Sequence, residues 1–350
     1  MSEKIIYKSE DEEQFIKYWT DLITSYQAGP RYLPLYLEYL LEESRGRNLL
    51  IADKSFVYLV NSKPVAGVLL PLEKHAEYIY GSISGDCIYA PIILDKKVEK
   101  KIMTKIDQIV FENKVDKLMY AIDPLDQGKI KYNYLQKYGY LDRSVLIYLV
   151  DLKNTHDLLK GCRHGHRSDI KKILKDKDYE VFHIDQGNSD YEIHEEYRRL
   201  HHKCSGKVTR PKKTFDLQFE ELKAGHAVLF GLSYKKKHVA FSYFDYLNNQ
   251  AGYFSAADDP EYNHLHLSHG LIYQALEFLK KKGIEYVDMG QPSGASMQLE
   301  YYPDKKQSSI SLFKRGFPGN FANHYQGVKY FSKELFEFDM NNFIKNYKIK

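Results

Sequence analysis

Gly252-Tyr-Phe-Ser-Ala-Ala257, the polar turn Asp258-Asp-Pro-Glu-Tyr-Asn-His-Leu-His266, an apolar helical stretch from about Leu267 to Lys282, Tyr286-Val-Asp-Met-Gly-Gln291 and Ser311-Leu-Phe-Lys-Arg-Gly-Phe317 follow one another in the second half of the chain. The first segment reads as a strand carrying Tyr253 and Ser255. The helix returns through Gly283 into a second strand, Tyr286 to Met289. A strand-helix-strand crossover of this kind places its two strands side by side and parallel.

Outward from that unit, the length of 350 residues exceeds a usual single core, so two domains of roughly 150 to 180 residues are expected. With 43% hydrophobic and 28% charged residues the composition is that of a globular protein. No apolar run reaches the roughly 18 residues that span a bilayer. The acidic start Met1-Ser-Glu-Lys-Ile-Ile-Tyr-Lys-Ser-Glu-Asp-Glu-Glu13 lacks the layout of a signal peptide. A cytoplasmic location is therefore expected. Cys87, Cys162 and Cys204 are far apart and odd in number, which fits reduced thiols. A net charge of +4 is too small and too spread to indicate a DNA partner. Basic residues gather only mid-chain, in Arg163, Arg167, Lys171, Lys172 and Lys175 and in Lys203, Lys207, Arg210, Lys212 and Lys213.

The order of elements occurs twice. Phe56-Val-Tyr-Leu-Val-Asn-Ser-Lys-Pro-Val-Ala-Gly-Val-Leu-Leu70 and Ala227-Val-Leu-Phe-Gly-Leu-Ser-Tyr-Lys-Lys-Lys-His-Val-Ala-Phe-Ser-Tyr-Phe244 each read as a hairpin with Val-Ala just after the turn. The first is followed by a strand at Ala76 to Tyr80, a helix from Val98 to Asn113 with Ile102, Ile106, Ile109 and Val110 on one stripe, and a strand from Lys117. Pro124 and Pro292 end the corresponding strands. Two similar α/β halves are expected, residues 1–155 and 156–350, meeting near Asp151 to Gly161 with a cleft between them.

A mixed sheet built from hairpin, strand, helix and strand is the core of the GNAT acyltransferase fold. Two copies in one chain resemble the FemAB family of tandem GNAT transferases. The residues that carry the resemblance are Tyr253-Phe-Ser-Ala-Ala257, the helix Gly270-Leu-Ile-Tyr-Gln-Ala-Leu-Glu-Phe-Leu-Lys-Lys-Lys-Gly283, Tyr286-Val-Asp-Met-Gly290, Phe313-Lys-Arg-Gly-Phe317 and the basic helix Arg163 to Lys175. Between Tyr191 and Gly225 there is room only for two short helices, so the chain resembles FemX-like members without the long helical arm. The resemblance implies a transferase moving an aminoacyl or acyl group onto an amine of a cell-envelope precursor, nucleotide-linked or lipid-linked. Charged tRNA is the implied donor, and no cofactor is implied.

In a GNAT-type fold two parallel strands splay, and exposed backbone N–H groups polarise the carbonyl under attack. Each donor aimed at such an oxyanion contributes about 3 to 4 kcal/mol. A CoA-dependent enzyme also needs a glycine-rich turn at the following helix start to hold the pyrophosphate. Here that turn is acidic, with one late glycine, Gly270, which argues against a CoA cradle and favours an aminoacyl-tRNA, or an acyl group on another carrier, over free acyl-CoA. By resemblance, Lys314 of Phe313-Lys314 contacts the acylated end of the donor. Tyr253 and Ser255 are candidates for substrate contact on the splayed strand, although a strand tyrosine can equally be buried packing. Arg163, Arg167 and Lys171 recur every four residues, a face suited to a diphosphate or simply to solvent. Lys207-Val-Thr-Arg210 reads either as an anion-binding loop or as a disordered basic one. Asp86, downstream of Tyr80, corresponds by resemblance to a base assisting the attacking amine; its Gly85-Asp-Cys87 setting also reads as a turn. Tyr80 is assigned with it to substrate binding.

His264, His266 and His269, and the pair His201 and His202, raise a metal reading. His-x-His-x-x-His lacks a carboxylate at a matching position and crosses from loop into helix, so no metal is expected. The aromatic and basic tail after Lys329 reads as a closing helix, or as a peripheral contact with a lipid surface. Two alternatives to aminoacyl transfer stay open: an acyl-CoA-dependent N-acyltransferase acting on an amino-sugar nucleotide, and a non-catalytic protein that binds an envelope precursor.

Overall fold

The computed structural model describes residues 2–290 and 302–346. In chain order the elements begin with β1 (Glu3–Tyr7), α1 (Glu12–Tyr26), α2 (Pro34–Gly46), β2 (Leu50–Asp53), β3 (Phe56–Val60), β4 (Lys63–Val68), β5 (Pro71–His75) and β6 (Tyr78–Gly81). Then come β7 (Ile88–Tyr89), β8 (Ile92–Ile93), α3 (Glu99–Glu112), β9 (Lys117–Ala121), β10 (Leu141–Asp142), β11 (Val145–Asp151), α4 (Leu158–Gly161), α5 (His164–Lys175) and β12 (Tyr179–Ile184). The rest are α6 (Tyr191–Ser205), α7 (Lys212–Lys223), β13 (Ala227–Tyr234), β14 (Lys237–Leu247), β15 (Gln250–Asp258), α8 (Leu267–Lys281), β16 (Tyr286–Asp288), α9 (Lys305–Lys314), β17 (Gly319–His324), β18 (Gln326–Tyr330) and α10 (Lys333–Asn346).

Two compact units result. The first holds the chain up to Val145 and takes back everything from Asn323 onward; the second starts at Leu146 and includes Pro303–Ala322. The tail assigned from sequence to the second half therefore builds the first unit. β18 pairs antiparallel with β9, Val328 opposite Met119. α10 docks through buried Leu335 and through Asp339, which accepts from Lys117 Nζ at 2.9 Å and from the Tyr330 hydroxyl at 2.8 Å. Phe338 and Ile344 on the same helix stay exposed. Pro124 starts a short 3-10 turn, while Pro292 lies outside the described residues.

The first unit carries a four-stranded sheet, β1-β3-β4-β8, and a sheet ordered β10-β18-β9-β6-β5-β2. α3 is the crossover between β6 and β9, which pair in parallel at Tyr80↔Lys117 and Gly81↔Leu118. β7 then pairs with the same strand, Ile88↔Tyr120 and Tyr89↔Ala121. The edge that β6 leaves is thus closed by β7.

The second unit is one seven-stranded sheet, β12-β13-β14-β15-β16-β11-β17. β13 shows why it is layered on both sides. Val228, Phe230 and Leu232 join a core with Ile170 and Ile173 of α5 and Leu271, Ala275 and Leu279 of α8. The alternate residues Ala227 and Leu229 join Tyr197 of α6 and Phe215 and Leu222 of α7. A strand buried on both faces reads as a continuous apolar run, and each large apolar side chain so buried contributes about 1.5 to 3 kcal/mol. α5 and α8 approach closely because Gly270 has no side chain: a Cβ there would meet Ile173 Cγ2 at 2.6 Å. α6 starts where the Asp190 carboxylate accepts from Glu192 N and Ile193 N, and α9 starts with a reciprocal Asp304–Gln307 capping box.

One buried carboxylate organises the loop after β6. Glu73, fully buried in β5, accepts from Ser44 Oγ at 2.5 Å, Ser82 Oγ at 2.6 Å, Ser84 N at 2.5 Å and Gly85 N at 3.0 Å, with His75 Nε2 at 3.0 Å. Burial alone would raise its pKa, but these hydrogen bonds outweigh burial and hold the carboxyl below its ordinary value. A folded-state value below the unfolded one means that its stabilisation is complete above about pH 4.3 and is lost as pH falls through the lower folded value. Glu73→Gln removes the charge and turns one acceptor into a donor facing donors. We expect it to cost about 2 to 4 kcal/mol in denaturant unfolding and to remove that part of the acid dependence. Stability within about 0.5 kcal/mol of the parent would refute this role for the carboxylate.

Candidate functional site

β15 and β16 are joined by α8 and pair in parallel over three positions only: Gln250↔Tyr286, Ala251↔Val287 and Gly252↔Asp288. Beyond Gly252, β15 runs on to Asp258 against β14 alone. Its register shifts there, with Phe244 opposite Tyr253 and Tyr243 opposite Ser255, so Phe254 is an extra residue in a bulge. β16 stops at Asp288, and Met289 N extends its antiparallel pairing with β11, donating to the carbonyl of Tyr148 at 3.0 Å. Among the described residues the β15 backbone beyond Gly252 has no partner strand on that side. Main-chain groups left this way are the donors that an acyl-transfer site requires.

Lys314, the last residue of α9, projects into this opening. Its ammonium donates to Met289 O at 2.5 Å and lies 5.2 Å from the centre of the Tyr253 ring. Desolvation lowers its pKa to about 8 against the opposing pull of the Asp288 carboxylate. Asp288 itself is buried and accepts from Gly290 N at 2.6 Å. The Tyr253 hydroxyl is pushed the other way, upward, by burial and by Asp258. Tyr253 is thus a protonated donor at neutral pH, half-buried, with its ring tilted against that of Phe244 at 5.1 Å.

His166 fixes the segment that carries Lys314. It is buried in α5, and its Nε2 donates to Phe313 O at 2.8 Å. Its ring packs on Phe313 at 5.3 Å and Phe317 at 5.1 Å. Gly316 makes room, since a Cβ there would lie 2.0 Å from His166 Nε2. Sequence reasoning passed over His166, although His166, Ile170 and Ile173 share one buried face at helical spacing. The Phe254 bulge, the cap made by Asp288 and the Tyr148 contact had no local signal.

The other candidates are placed as follows. Ser255 Oγ hydrogen-bonds the hydroxyl of Tyr197. Arg163 is the residue before α5, exposed, with Nη2 3.4 Å from His166 Nδ1. Arg167 is committed to the carbonyls of Lys160 at 3.0 Å and Cys162 at 3.2 Å, closing the end of α4. Lys171 is exposed. The expected three-residue anion face is therefore divided among a helix start, a capping arginine and a solvated lysine. Lys207 is exposed, but Arg210 is not in a loose basic loop. It is buried, donates to Tyr197 Oη at 3.2 Å and Gln218 Oε1 at 2.7 Å, and stacks on Phe215 at 3.9 Å. Those partners use the guanidinium to hold α6 and α7 together rather than to bind an external anion.

Tyr80 and Asp86 belong to the first unit. Tyr80 stacks on His75 at 4.6 Å under the Lys117 ammonium at 4.2 Å, and desolvation and then Asp339 raise its hydroxyl to about 12. Asp86 sits in a tight turn, exchanging main-chain hydrogen bonds with Ile83 at 2.8 and 3.0 Å. Desolvation raises its carboxyl above the ordinary range. The turn reading is what the backbone adopts, on the loop that Glu73 anchors.

The histidines differ from their sequence reading in one respect: a carboxylate is present. Asp169 of α5 lies beside His266 and His269. His264 is not in this group, and His201 instead faces Thr209 Oγ1 at 3.3 Å and the Phe215 ring.

Residues 160–301 match the acetyltransferase (GNAT) domain family. No curated protein matches the sequence. Among solved structures, FemX is similar over 97% of this chain and 99% of its own, with a TM-score of 0.66 at 13% identity. L-PGS from Bacillus licheniformis is similar over 93% of this chain and 94% of its own, TM-score 0.60 at 13% identity. A tandem GNAT protein from the clavulanic acid biosynthesis pathway is similar over 94% and 98%, TM-score 0.50 at 11% identity. The parted strands β15 and β16 lie inside the matched segment, and the chain is a tandem GNAT-fold protein that shares its architecture with FemX.

Proposed function

We propose that the chain is an acyltransferase of FemAB type, moving an aminoacyl group from charged tRNA, or an acyl group from another carrier, onto an amine of a cell-envelope precursor. The observation that carries this reading is the half-buried Lys314 ammonium at the parted ends of β15 and β16. In the reaction the acceptor amine attacks the donor carbonyl, a carbon–nitrogen bond forms, and the ester oxygen leaves with the donor. The amine proton passes to water or to a side-chain base. An ammonium has three protons to donate. One of them reaches Met289 O, and the others are available to an oxyanion developing in the opening. The fold shared with FemX and L-PGS supports an envelope component as acceptor.

The turn between β15 and α8 favours a donor other than CoA. It holds a 3-10 segment, Pro260–Leu265, and non-glycine His266 in the left-handed region at φ 54°. Asp259 and Glu261 in this turn are held by Lys203 at 2.8 and 2.7 Å. Carboxylates at this place oppose a pyrophosphate.

Lys314→Ala is expected to lower the transfer rate by about 100-fold or more, the size of effect seen when one oxyanion donor is lost, with the fold unchanged. A folded Lys314→Ala protein with full activity would sink the assignment. The same lysine leaves a signature in stability. Its folded pKa of about 8 lies below the roughly 10.4 of a free lysine. Between these values the unfolded chain binds more protons than the native one, so stability rises with pH through that window. Thermal unfolding at a series of pH values should show the rise in the parent and its loss in Lys314→Met; matching curves would contradict it.

For the donor and acceptor, native mass spectrometry is to be run against acyl-CoAs, charged tRNAs, and nucleotide-linked muropeptides or amino sugars. Retention of charged tRNA together with a muropeptide is the expected result. Acyl-CoA together with an amino-sugar nucleotide would move the assignment to N-acylation in surface-glycan synthesis.

A further inference from the structure

We propose that Asp169, His266 and His269 form a binding site for a divalent transition-metal ion of the zinc class. Two separate elements supply the three side chains. Asp169 comes from the second turn of α5, His266 from the residue before α8 and His269 from its first turn. Their ligand atoms all lie within 4.8 Å of one another. Asp169 Oδ2 is 3.1 Å from His266 Nδ1 and 3.7 Å from His269 Nε2. Bonds of about 2.0 to 2.2 Å around a tetrahedral ion separate ligand atoms by about 3.4 Å, so both distances are within a few tenths of an ångström of the value required.

The environment of His269 points the same way. Its Nδ1 bonds to the carbonyl of His266 at 3.0 Å. That nitrogen therefore carries a proton, and Nε2 is directed at the Asp169 carboxylate. At 3.7 Å the pair is too far apart for a direct hydrogen bond. A metal ion bound to Nε2 and to the carboxylate fits this spacing. Ligating histidines are commonly held by just such a bond from the second ring nitrogen to a main-chain carbonyl. The ring is further clamped by His166 at 4.3 Å and Phe313 at 4.8 Å. His266 sits in the left-handed backbone region at φ 54°, which non-glycine residues adopt uncommonly and histidine more readily than most. Its side chain is 58% exposed, so an ion has a path from solvent, and a fourth position is left for water or an anionic ligand.

An ion here joins α5 to the start of α8, the two helices that cover one face of the second-unit sheet. The test uses the full chain, free of any affinity tag. Equilibrium dialysis against Zn2+ with elemental analysis, Co2+ absorption spectra and thermal unfolding with and without Zn2+ are measured together. One ion per chain, a tetrahedral Co2+ spectrum and a raised Tm are expected. Asp169→Asn and His266→Asn should each weaken binding at least tenfold, whereas the double variant His201→Ala, His202→Ala should bind as the parent does. His266→Asn keeps a residue that tolerates positive φ, and a circular dichroism spectrum identical to the parent's shows that it folds. Absence of stoichiometric binding, or binding equal in the parent and the two ligand variants, would overturn the proposal.

Discussion

Everything at the candidate site depends on how little of β15 and β16 is paired. Three residue pairs hold these strands in parallel, and after Gly252 and Asp288 each keeps only its antiparallel partner, β14 for β15 and β11 for β16. A paired parallel edge would spend its N–H groups on the ladder; a parted one keeps them for a ligand. The cost of such an opening is offset by the flanking layers. α8 buries Leu271, Ala275 and Leu279 beneath the sheet, and the α6–α7 pair covers the other face. The chain then places α9 so that its final residue, Lys314, fills part of the opening, with His166 and the missing side chain of Gly316 fixing the angle of approach.

The first unit repeats the same hairpin, strand, helix and strand, but not the opening. β6 and β9 also part after two pairs, yet β7 occupies β9 at once. Its main-chain groups are thereby used within the sheet. The segment that makes this possible is the loop between β6 and β7, which Glu73 binds from below through Ser82, Ser84 N and Gly85 N. Duplication of a fold thus need not duplicate its site. A short strand of two residues, Ile88–Tyr89, is enough to close one copy and leave chemistry to the other.

Those differences mark how far the sequence could be read. Periodicity gave the hairpins, the helices Glu99–Glu112 and Leu267–Lys281 and the parallel strands at Tyr286–Asp288, because each follows from local spacing of apolar residues. The two short helices between Tyr191 and Gly225 followed instead from the short length of chain available there. The return of Asn323 onward to the first unit was not, since strand exchange between units is a long-range pairing and leaves no local pattern. At the site, Lys314 was recognised only through the order of motifs around it. Arg210 and Arg167 misled because a lone arginine in sequence looks the same whether it binds an anion or closes a helix end. Asp169 could not be matched to His266 and His269 by spacing, as 97 residues separate it from His266; only the packing of α5 on α8 brings them together.

The charge on Lys314 is held in an unusual balance. Desolvation pulls its proton away, and the Met289 carbonyl and the Asp288 carboxylate hold it. Among the described residues no carboxylate lies within ion-pair distance of the ammonium, and Asp288 is itself engaged by Gly290 N. A tight ion pair would fix the lysine more firmly, but it would also cancel most of its field where an oxyanion forms. A carbonyl dipole orients the ammonium and leaves nearly all of its charge uncompensated. With a pKa of about 8 the group remains mostly protonated at neutral pH while sitting closer to deprotonation than a free lysine does. Geometry and ionisation are therefore set by the same few contacts at the end of β16, and a change that closed the strands would remove both.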